Sequence, residues 1–312
     1  MSSPTIAAIV PCHNEAIAIG KVVEDLRSAV PEMVIYVYDN NSTDGTDEVA
    51  RNAGAIVRYE HAKGKGNVIR RAFADVEADI YVTIDGDDTY DAAALPEMIK
   101  TLLDGPYDHV LGVRQEVTES AYRPGHSAGN KMFNIVVKNI FGVAVSDMLS
   151  GYRVFSRRFV KSFPAVSREF ETETELTVHA ANLRVPQTEV QVGFQDRPEG
   201  AESKLRTYRD GWKILKLILH LTRVERPVLF HSVVAGVLGL VGLLLGLPIV
   251  LEFLRTGLVP RLPTAVLASV IELIAILVYF LGLQLSSIKR LKDENMRLVY
   301  LSMNPAGAER RP

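Results

Sequence analysis

Along the first third of the chain, apolar and polar positions predict strands and helices in turn. Thr5 to Val10 is an apolar run with β-branched residues, a strand that stops at Pro11-Cys12-His13-Asn14-Glu15. Ile17 to Val30 carries Ile19, Val22, Val23 and Leu26 near helical spacing and ends before Pro31. Met33 to Tyr38 predicts a second strand, followed by Asp39-Asn40-Asn41-Ser42-Thr43-Asp44-Gly45-Thr46. There Ser, Thr or Asp is placed to cap a helix that runs on to Ala53. Ala55 to Tyr59 predicts a third strand, Gly64-Lys65-Gly66 opens a helix from Asn67 towards Val76, and Ile80 to Ile84 predicts a fourth strand. Such alternation implies an α/β domain with a doubly wound, mostly parallel sheet. Ligands of these sheets bind beyond the carboxyl ends of the strands. The polar turns after Val10, Tyr38 and Ile84 all fall on that edge.

The last of these turns, Thr83-Ile84-Asp85-Gly86-Asp87-Asp88-Thr89, carries three acids where the strand should end. Crowded carboxylates repel one another, and a hard divalent cation relieves the repulsion. Carboxylate oxygens suit Mg2+ or Mn2+, which bind through one or two carboxylates plus phosphate oxygens. The i, i+2 spacing lets Asp85 and Asp87 address one site, and Gly86 leaves room for a ligand near the backbone. The alternative is a solvated acidic turn. The Gly-Lys-Gly turn offers a positive charge and backbone N–H groups to phosphate, or is a plain helix start. Its spacing is not that of a Walker loop.

Further along, Ala92 to Leu103 reads as a helix and His109 to Val113 as a strand ending at Arg114. His126 to Phe141 reads as an amphipathic helix with Lys131, Asn134 and Lys138 on one face. From Tyr208 to Arg223, Lys213, Lys216, His220 and Arg223 form one stripe among Trp212 and many Leu and Ile, the pattern of a helix lying in a membrane surface. Val228 to Leu251 has no Lys, Arg, Asp or Glu and is long enough to cross a bilayer of ~30 Å; Thr264 to Leu285 is a second such run, interrupted by Glu272. Pro248 is placed to kink or end the first. Basic residues flank the pair, with Arg223 and Arg226 before it and Lys289, Arg290, Lys292 and Arg297 after it, whereas the connecting loop has only Arg255 and Arg261. Both ends are therefore expected on the cytoplasmic side. The expected divisions are a catalytic domain over 1–207, an interface helix over 208–226, a two-helix transmembrane anchor over 227–287 and a cytosolic tail over 288–312, disordered from Asn304. Glu272 is expected protonated, paired or in a helix–helix contact.

A chain of 312 residues exceeds the needs of one compact core, and a formal charge of −2 gives no general case for nucleic-acid binding. The single cysteine, Cys12, excludes an internal disulfide and a cysteine-based zinc cluster; it is read as a small buried residue. No signal peptide is expected.

The motifs Val10-Pro11-Cys12-His13-Asn14-Glu15, Asp39 to Thr46, Lys63-Gly64-Lys65-Gly66 and Asp85-Gly86-Asp87 resemble those of the family-2 glycosyltransferases of GT-A fold. Asn40-Asn41 departs from the second acid and glycine of many relatives. Gly112-Val113-Arg114, Ser150-Gly151-Tyr152-Arg153, Phe170-Glu171-Thr172-Glu173-Thr174-Glu175-Leu176 and Gly200 to Leu205 narrow the resemblance to the polyprenyl-phosphate glycosyltransferases, including dolichyl-phosphate mannose synthase and its bacterial relatives. The resemblance implies a nucleotide site of Pro11, His13, Glu15, Asp39, Asn40, Lys65, Asp85 and Gly86. It implies a metal, Mg2+ or Mn2+, on Asp85 and Asp87. Acceptor phosphate is assigned to Arg114 and Arg153, then His126 and Asn130; Asp85, Asp87, Arg114 and Arg153 are the expected catalytic set.

The implied reaction is inverting transfer of a sugar from a nucleotide-sugar, with UDP-sugars favoured, to polyprenyl monophosphate at the cytoplasmic membrane face, in glycan or cell-wall biosynthesis. A lipid monophosphate is already an anion and needs placement more than a general base; if a base acts, Asp147 and Glu173 are the candidates. The expected partners are the donor, the polyprenyl phosphate, the lipid bilayer and a second copy of the chain, with no nucleic acid. The competing readings are a transferase acting on a glycolipid or polysaccharide and a noncatalytic membrane scaffold or flippase partner. The Gln-x-x-Arg-Trp motif of processive relatives is absent, Trp212 following Gly211.

Overall fold

The computed structural model describes residues 3–116, 146–166, 172–195, 219 and 222–306. These form two compact units, one comprising residues up to 195 together with 295–306, the other the remainder through 294. The basic helix expected over His126–Phe141 lies outside the described residues, as does most of the interface helix expected over 208–226.

The first unit is organised by a seven-stranded sheet. Its strands are β1 (Ile6–Cys12), β2 (Val34–Asp39), β3 (Ile56–Tyr59), β4 (Ile80–Thr83), β5 (His109–Glu116), β6 (Arg153–Ser156) and β7 (Gln187–Phe194), in the order β3-β2-β1-β4-β6-β5-β7. The pairs β1–β2, β1–β4 and β2–β3 are parallel, as the alternation predicts. β6 differs: it runs antiparallel between β4 and β5, making the sheet mixed. An apolar run signals a strand but carries no sign of its direction, which pairing alone decides. β7, not among the predicted strands, alternates polar Gln187, Glu189 and Gln191 with Thr188, Val190 and Val192, a pattern that was readable.

Helices cover both faces: α1 (Ile19–Ala29), α2 (Thr46–Asn52), α3 (Lys65–Asp75), α4 (Leu95–Asp104), α5 (Arg157–Ser162) and α6 (Thr172–Leu183). β1 shows how one strand serves two cores, because successive side chains point to opposite faces. Ile6, Ala8, Val10 and Cys12 join Leu26 of α1 and Met98 of α4, while Ala7 and Ile9 join Phe73 of α3, Phe159 of α5 and Leu176 of α6. A strand buried on both sides reads as a continuous apolar run.

The second unit holds most of two long helices, α7 (Pro227–Thr256) and α8 (Leu262–Leu301), both long and apolar enough to cross a membrane. α7 continues through Pro248 and ends where Gly257 adopts the left-handed conformation. Leu254, Leu273 and Phe280 are among many large apolar side chains exposed on these helices. Glu272 lies against Gly239 and Gly242 of α7, matching the expected helix–helix contact.

At 40 residues α8 is roughly 60 Å long, about twice a bilayer core. Its last turns, from Asn295, belong to the first unit. Met296 and Tyr300 pack on the core that includes Phe155 and Phe159, and Arg297 Nη1 donates to Leu183 O at 2.6 Å. The Tyr300 hydroxyl donates to Asp108 Oδ2 at 2.5 Å. Asp108 is fully buried and also accepts from Ser156 Oγ and from Nε and Nη2 of Arg158, each at 2.6 Å. Tyr300→Phe leaves this buried carboxylate one donor short, a loss of about 1–3 kcal/mol. A lowered unfolding midpoint of the full chain in detergent is the expected result; an unchanged midpoint would show that Arg158 and Ser156 suffice.

Candidate functional site

The turns at the carboxyl ends of β1 and β2 are stitched by short polar side chains. Asn14, left-handed at φ 56°, donates its N–H to Ser42 Oγ at 3.0 Å and accepts the Thr43 N–H on Oδ1 at 2.8 Å. Glu15 N–H reaches Thr46 Oγ1 at 2.9 Å, and Ala16 N–H reaches Asp44 Oδ2 at 3.0 Å. Thus Ser42, Asp44 and Thr46 join two loops, whereas the sequence suggested a helix cap. The residue at the cap of α2 is Gly45, which makes no side-chain cap bond.

Asp39, at the end of β2, is buried. Its Oδ1 accepts the Ser42 N–H at 3.0 Å, while its buried Oδ2 has no hydrogen-bond partner. A buried carboxylate oxygen without a donor is costly unless a ligand supplies one. Asn40 is different. Its Nδ2 donates to Glu60 O and Ala62 O at 2.6 and 2.9 Å, and its Oδ1 accepts from Gly64 N at 2.7 Å. That side chain is spent on holding the loop before α3 and is not available to a nucleotide as expected.

The acidic turn after β4 separates its three acids. Asp88, left-handed at φ 57°, pairs with Lys21 of α1 at 2.8 Å. Asp87 is buried and accepts the Thr89 hydroxyl at 2.7 Å. Asp85 is partly exposed and meets Lys65 Nζ at 2.5 Å. The same ammonium meets Glu173 Oε1 of α6 at 2.5 Å. Burial opposes the charge on Lys65, but the two carboxylates more than offset it and push the ammonium above its ordinary value. Between these groups lies a small pocket whose lining includes Pro11, Lys65, Thr83, Asp85, Gly151 and Glu173.

Cys12 is buried in the field of several of these acids. Its thiol is pushed well up, first by burial and then by the negative charges of Glu15, Asp39, Asp85 and Asp87. Four of the sequence-predicted site residues therefore act on one buried point. Gly86 is needed because a Cβ there would collide with Cys12 Sγ; the expected room for a ligand is filled by packing.

Behind Asp85 stands Gly151, where a Cβ would come within 2.6 Å of Asp85 Oδ2. Gly151 is fixed on both sides. Its N–H donates to the Tyr90 hydroxyl at 3.0 Å, and its carbonyl accepts from Thr83 Oγ1 at 3.1 Å. Neither Tyr90 nor this buttress was among the predicted site residues; a tyrosine just after an acidic turn was the available signal.

The two arginines have different places. Arg114, at the end of β5, makes a bidentate pair with Asp147 (Nε–Oδ2 2.6 Å, Nη2–Oδ1 2.7 Å) and lies over the Phe194 ring. Its side chain keeps 27 % of its surface exposed. Arg153 is fully buried. Its Nε donates to Ser150 O at 2.9 Å, Nη2 to Met148 O at 2.7 Å and Nη1 to Thr177 Oγ1 at 2.9 Å. A guanidinium so occupied does not fit the expected role of binding an acceptor phosphate; it holds the loop that carries Asp147 and Gly151. Asp147 and Glu173, the base candidates, are both held in ion pairs. His126 and Asn130 lie outside the described residues.

Residues 7–163 match the model of glycosyl transferase family 2. The glycosyltransferase AglJ of Haloferax volcanii is 33% identical over 250 residues, 80% of this chain and 82% of that one. A dolichyl-phosphate hexose transferase of the same organism is 28% identical over 221 residues, 71% of this chain and 95% of its own. Among solved structures, glucosyl-3-phosphoglycerate synthase of Mycobacterium tuberculosis, in complex with Mn2+, uridine diphosphate and phosphoglyceric acid, superposes with a TM-score of 0.58 at 21% identity, over 70% of this chain and 78% of that one. At that identity the likeness is one of fold.

His109 neighbours Arg153 in the core, stacked on Phe155 at 5.0 Å, and its pKa is driven down to about 3 by burial and then by the Arg153 charge. The unfolded chain takes up this proton near pH 6.5, the folded chain only near 3. Stability from this group is therefore complete above pH 6.5 and declines as pH falls towards 3. Unfolding midpoints measured from pH 7 to 4 should drop less steeply in His109→Gln than in the parent; equal slopes would assign the acid sensitivity elsewhere.

Proposed function

The chain belongs to glycosyl transferase family 2, and from that premise we propose that it transfers a sugar from a UDP-sugar to polyprenyl monophosphate at the cytoplasmic face of a membrane. The observation that carries this reading is the joining, in one chain, of a pocket at the sheet edge lined by Asp85, Glu173 and Lys65 and two long apolar helices flanked by basic residues. A relative named as a dolichyl-phosphate hexose transferase supports the acceptor, and the fold-mate's complex with Mn2+ and uridine diphosphate supports the donor and metal.

Asp39 is assigned to the base, where its partnerless Oδ2 suits an N–H donor of a pyrimidine. Pro11, His13 and Glu15 are assigned to the base and ribose with it, as the family resemblance implies. The donor set fits a divalent cation of the hard class: Asp85 already holds a cation, and carboxylate oxygens are the ligands Mg2+ and Mn2+ prefer. Among the described residues no three His, Cys, Asp or Glu form a full cage. Asp85 and Asp87 would therefore hold the ion together with diphosphate oxygens. Bound there, it stabilises the negative charge of the leaving diphosphate as a Lewis acid.

Arg114 is the arginine assigned to the acceptor phosphate, since its side chain is partly exposed and its pair with Asp147 engages only Nε and Nη2, so that the positive charge is held in place at the site. His126 and Asn130 complete the proposed acceptor set. The phosphate is its own nucleophile, so the ion-paired state of Asp147 and Glu173 is no obstacle. Their partners gain from them: Asp147 orients Arg114, and Glu173 orients Lys65. Arg153 acts at one remove, by fixing the loop between. Inversion at the anomeric carbon gives a β-linked product from an α-linked donor. The apolar helices keep the enzyme with an acceptor confined to the bilayer.

Purified full chain in detergent, given Mn2+ or Mg2+, a short polyprenyl phosphate and a panel of UDP- and GDP-sugars, should yield one lipid-phosphate-sugar by mass spectrometry. EDTA should abolish the product, and Asp87→Ala should slow its formation by about 10²–10³-fold, as loss of an electrostatic stabiliser does. Transfer only to a glycan or glycolipid would move the acceptor assignment, and silence with every donor would favour a noncatalytic scaffold.

Gly151→Ala provides a finer test. A Cβ there pushes the Asp85 carboxylate aside while leaving the core intact, and a displacement of that order costs up to about 10²-fold in rate. The expected result is slowed transfer at an unchanged unfolding midpoint; full activity would mean that the placement of Asp85 is not critical.

A further inference from the structure

Lys65 occupies an unfavourable position for a cation. It is the first residue of α3, an 11-residue helix, and helix N-termini favour negative charge. What holds its ammonium is the pair of carboxylates, Asp85 Oδ1 and Glu173 Oε1, at 2.5 Å each. The surrounding backbone is pinned, with Gly64 N–H on Asn40 Oδ1 at 2.7 Å and Asn67 Nδ2 on Lys63 O at 3.0 Å. Gly151 packs against the Asp85 carboxylate, close enough that an added Cβ would fall 2.6 Å from Oδ2. The mobile part of this cluster is the four-carbon stem of Lys65.

We propose that Lys65 is a resident cation of the donor site: its ammonium bridges Asp85 and Glu173 until a nucleoside diphosphate and a divalent metal arrive together, and then passes from Asp85 to the diphosphate. This rests on the assignment of Asp85 and Asp87 to a metal. Two cations on one carboxylate repel, so a metal alone competes with Lys65 for Asp85. A diphosphate removes the conflict. It offers Lys65 a new anionic partner at a helix N-terminus, where backbone N–H groups also favour it. Metal and nucleotide therefore bind cooperatively, and by linkage each strengthens the other by the same factor. The bridge also keeps two carboxylates, Asp85 and Glu173, from facing each other uncompensated in the resting enzyme. No bond is made or broken in this exchange of ion pairs.

Mn2+ binding to the full chain in detergent, read by the EPR signal of the free ion with and without UDP, tests the proposal. The parent should bind Mn2+ weakly alone and at least about tenfold more tightly with UDP. Lys65→Met should bind Mn2+ alone at least about tenfold more tightly than the parent, with a smaller gain from UDP than the parent shows, since only the metal–diphosphate contact then remains to couple them. Removing the lysine also changes the local charge and exposes two acids to each other, so the double variant Lys65→Met with Glu173→Gln is the sharper arm. In the parent two carboxylates face one ammonium; in the double variant one carboxylate remains, so the net charge is the same and only the bridge is gone. Tighter Mn2+ binding by this variant supports the bridge. Parent-like affinity overturns it and leaves bulk charge as the cause, as does a parent whose Mn2+ affinity is indifferent to UDP. Mn2+ binding that survives Asp87→Ala unchanged in parent and variants alike would instead remove the metal assignment, and the proposal with it.

Discussion

A guanidinium closed off from water must find partners for its donors or destabilise the fold by several kcal/mol. Arg153 meets that constraint with two carbonyls and a hydroxyl, from Ser150, Met148 and Thr177. The consequence is geometric. The loop between Asp147 and Gly151 is wrapped around a fixed point on β6, and its two ends are aimed at opposite parts of the site. One end gives Asp147 to Arg114, and the other sets Gly151 against Asp85. The antiparallel insertion of β6 beside β4 is what brings this loop to the acidic turn. Asp85 and Arg114, from distant parts of the chain, are thereby referred to one buried charge.

The carboxyl edge of the sheet concentrates negative charge, which by itself would loosen the fold. Basic side chains distribute the relief unequally. Lys21 takes Asp88 away from the site and Arg114 takes Asp147, while Lys65 spans Asp85 and Glu173. Asp39 and Asp87 are both buried, and Asp39 keeps one carboxylate oxygen without a hydrogen-bond partner. On the proposed assignment, Asp39 is where a nucleotide base gains most, because a donor there meets an oxygen that nothing else satisfies. A site built this way is stable without its ligands yet keeps its strongest interactions for them.

The polar node at Asp108 serves the other end of β5. Arg158, Ser156 and Tyr300 converge on a carboxylate with no exposure, and Tyr300 comes from the last turn of α8. Residue 108 adjoins His109, and His109 adjoins Arg153. The end of the second apolar helix is thus tied by hydrogen bonds to the strand whose far end carries Arg114.

Much of the molecule was legible in the order of its residues. Parallel βα units follow from periodicity, because burial on two sheet faces demands apolar runs and burial on one helix face demands a spacing near 3.6. The collection of polar turns on one edge follows from that topology; Asp85 and Asp87 follow from their spacing at a strand end, and His13 and Asp39 are nominated by the family resemblance. Two helices of membrane-spanning length follow from composition. Only the tertiary structure decided what each polar group has left to offer. Arg114 and Arg153 are the same residue type in similar motifs, yet one reaches solvent and the other is enclosed. Asn40 and Asp39 are neighbours, yet one side chain is saturated and the other keeps an oxygen without a partner. The physical reason is that hydrogen-bond capacity is spent locally and by distance, and residues as far apart as Lys65 and Glu173 or Asp108 and Tyr300 become neighbours only when the sheet closes. Residue type sets how many bonds a group can make; the fold sets how many remain.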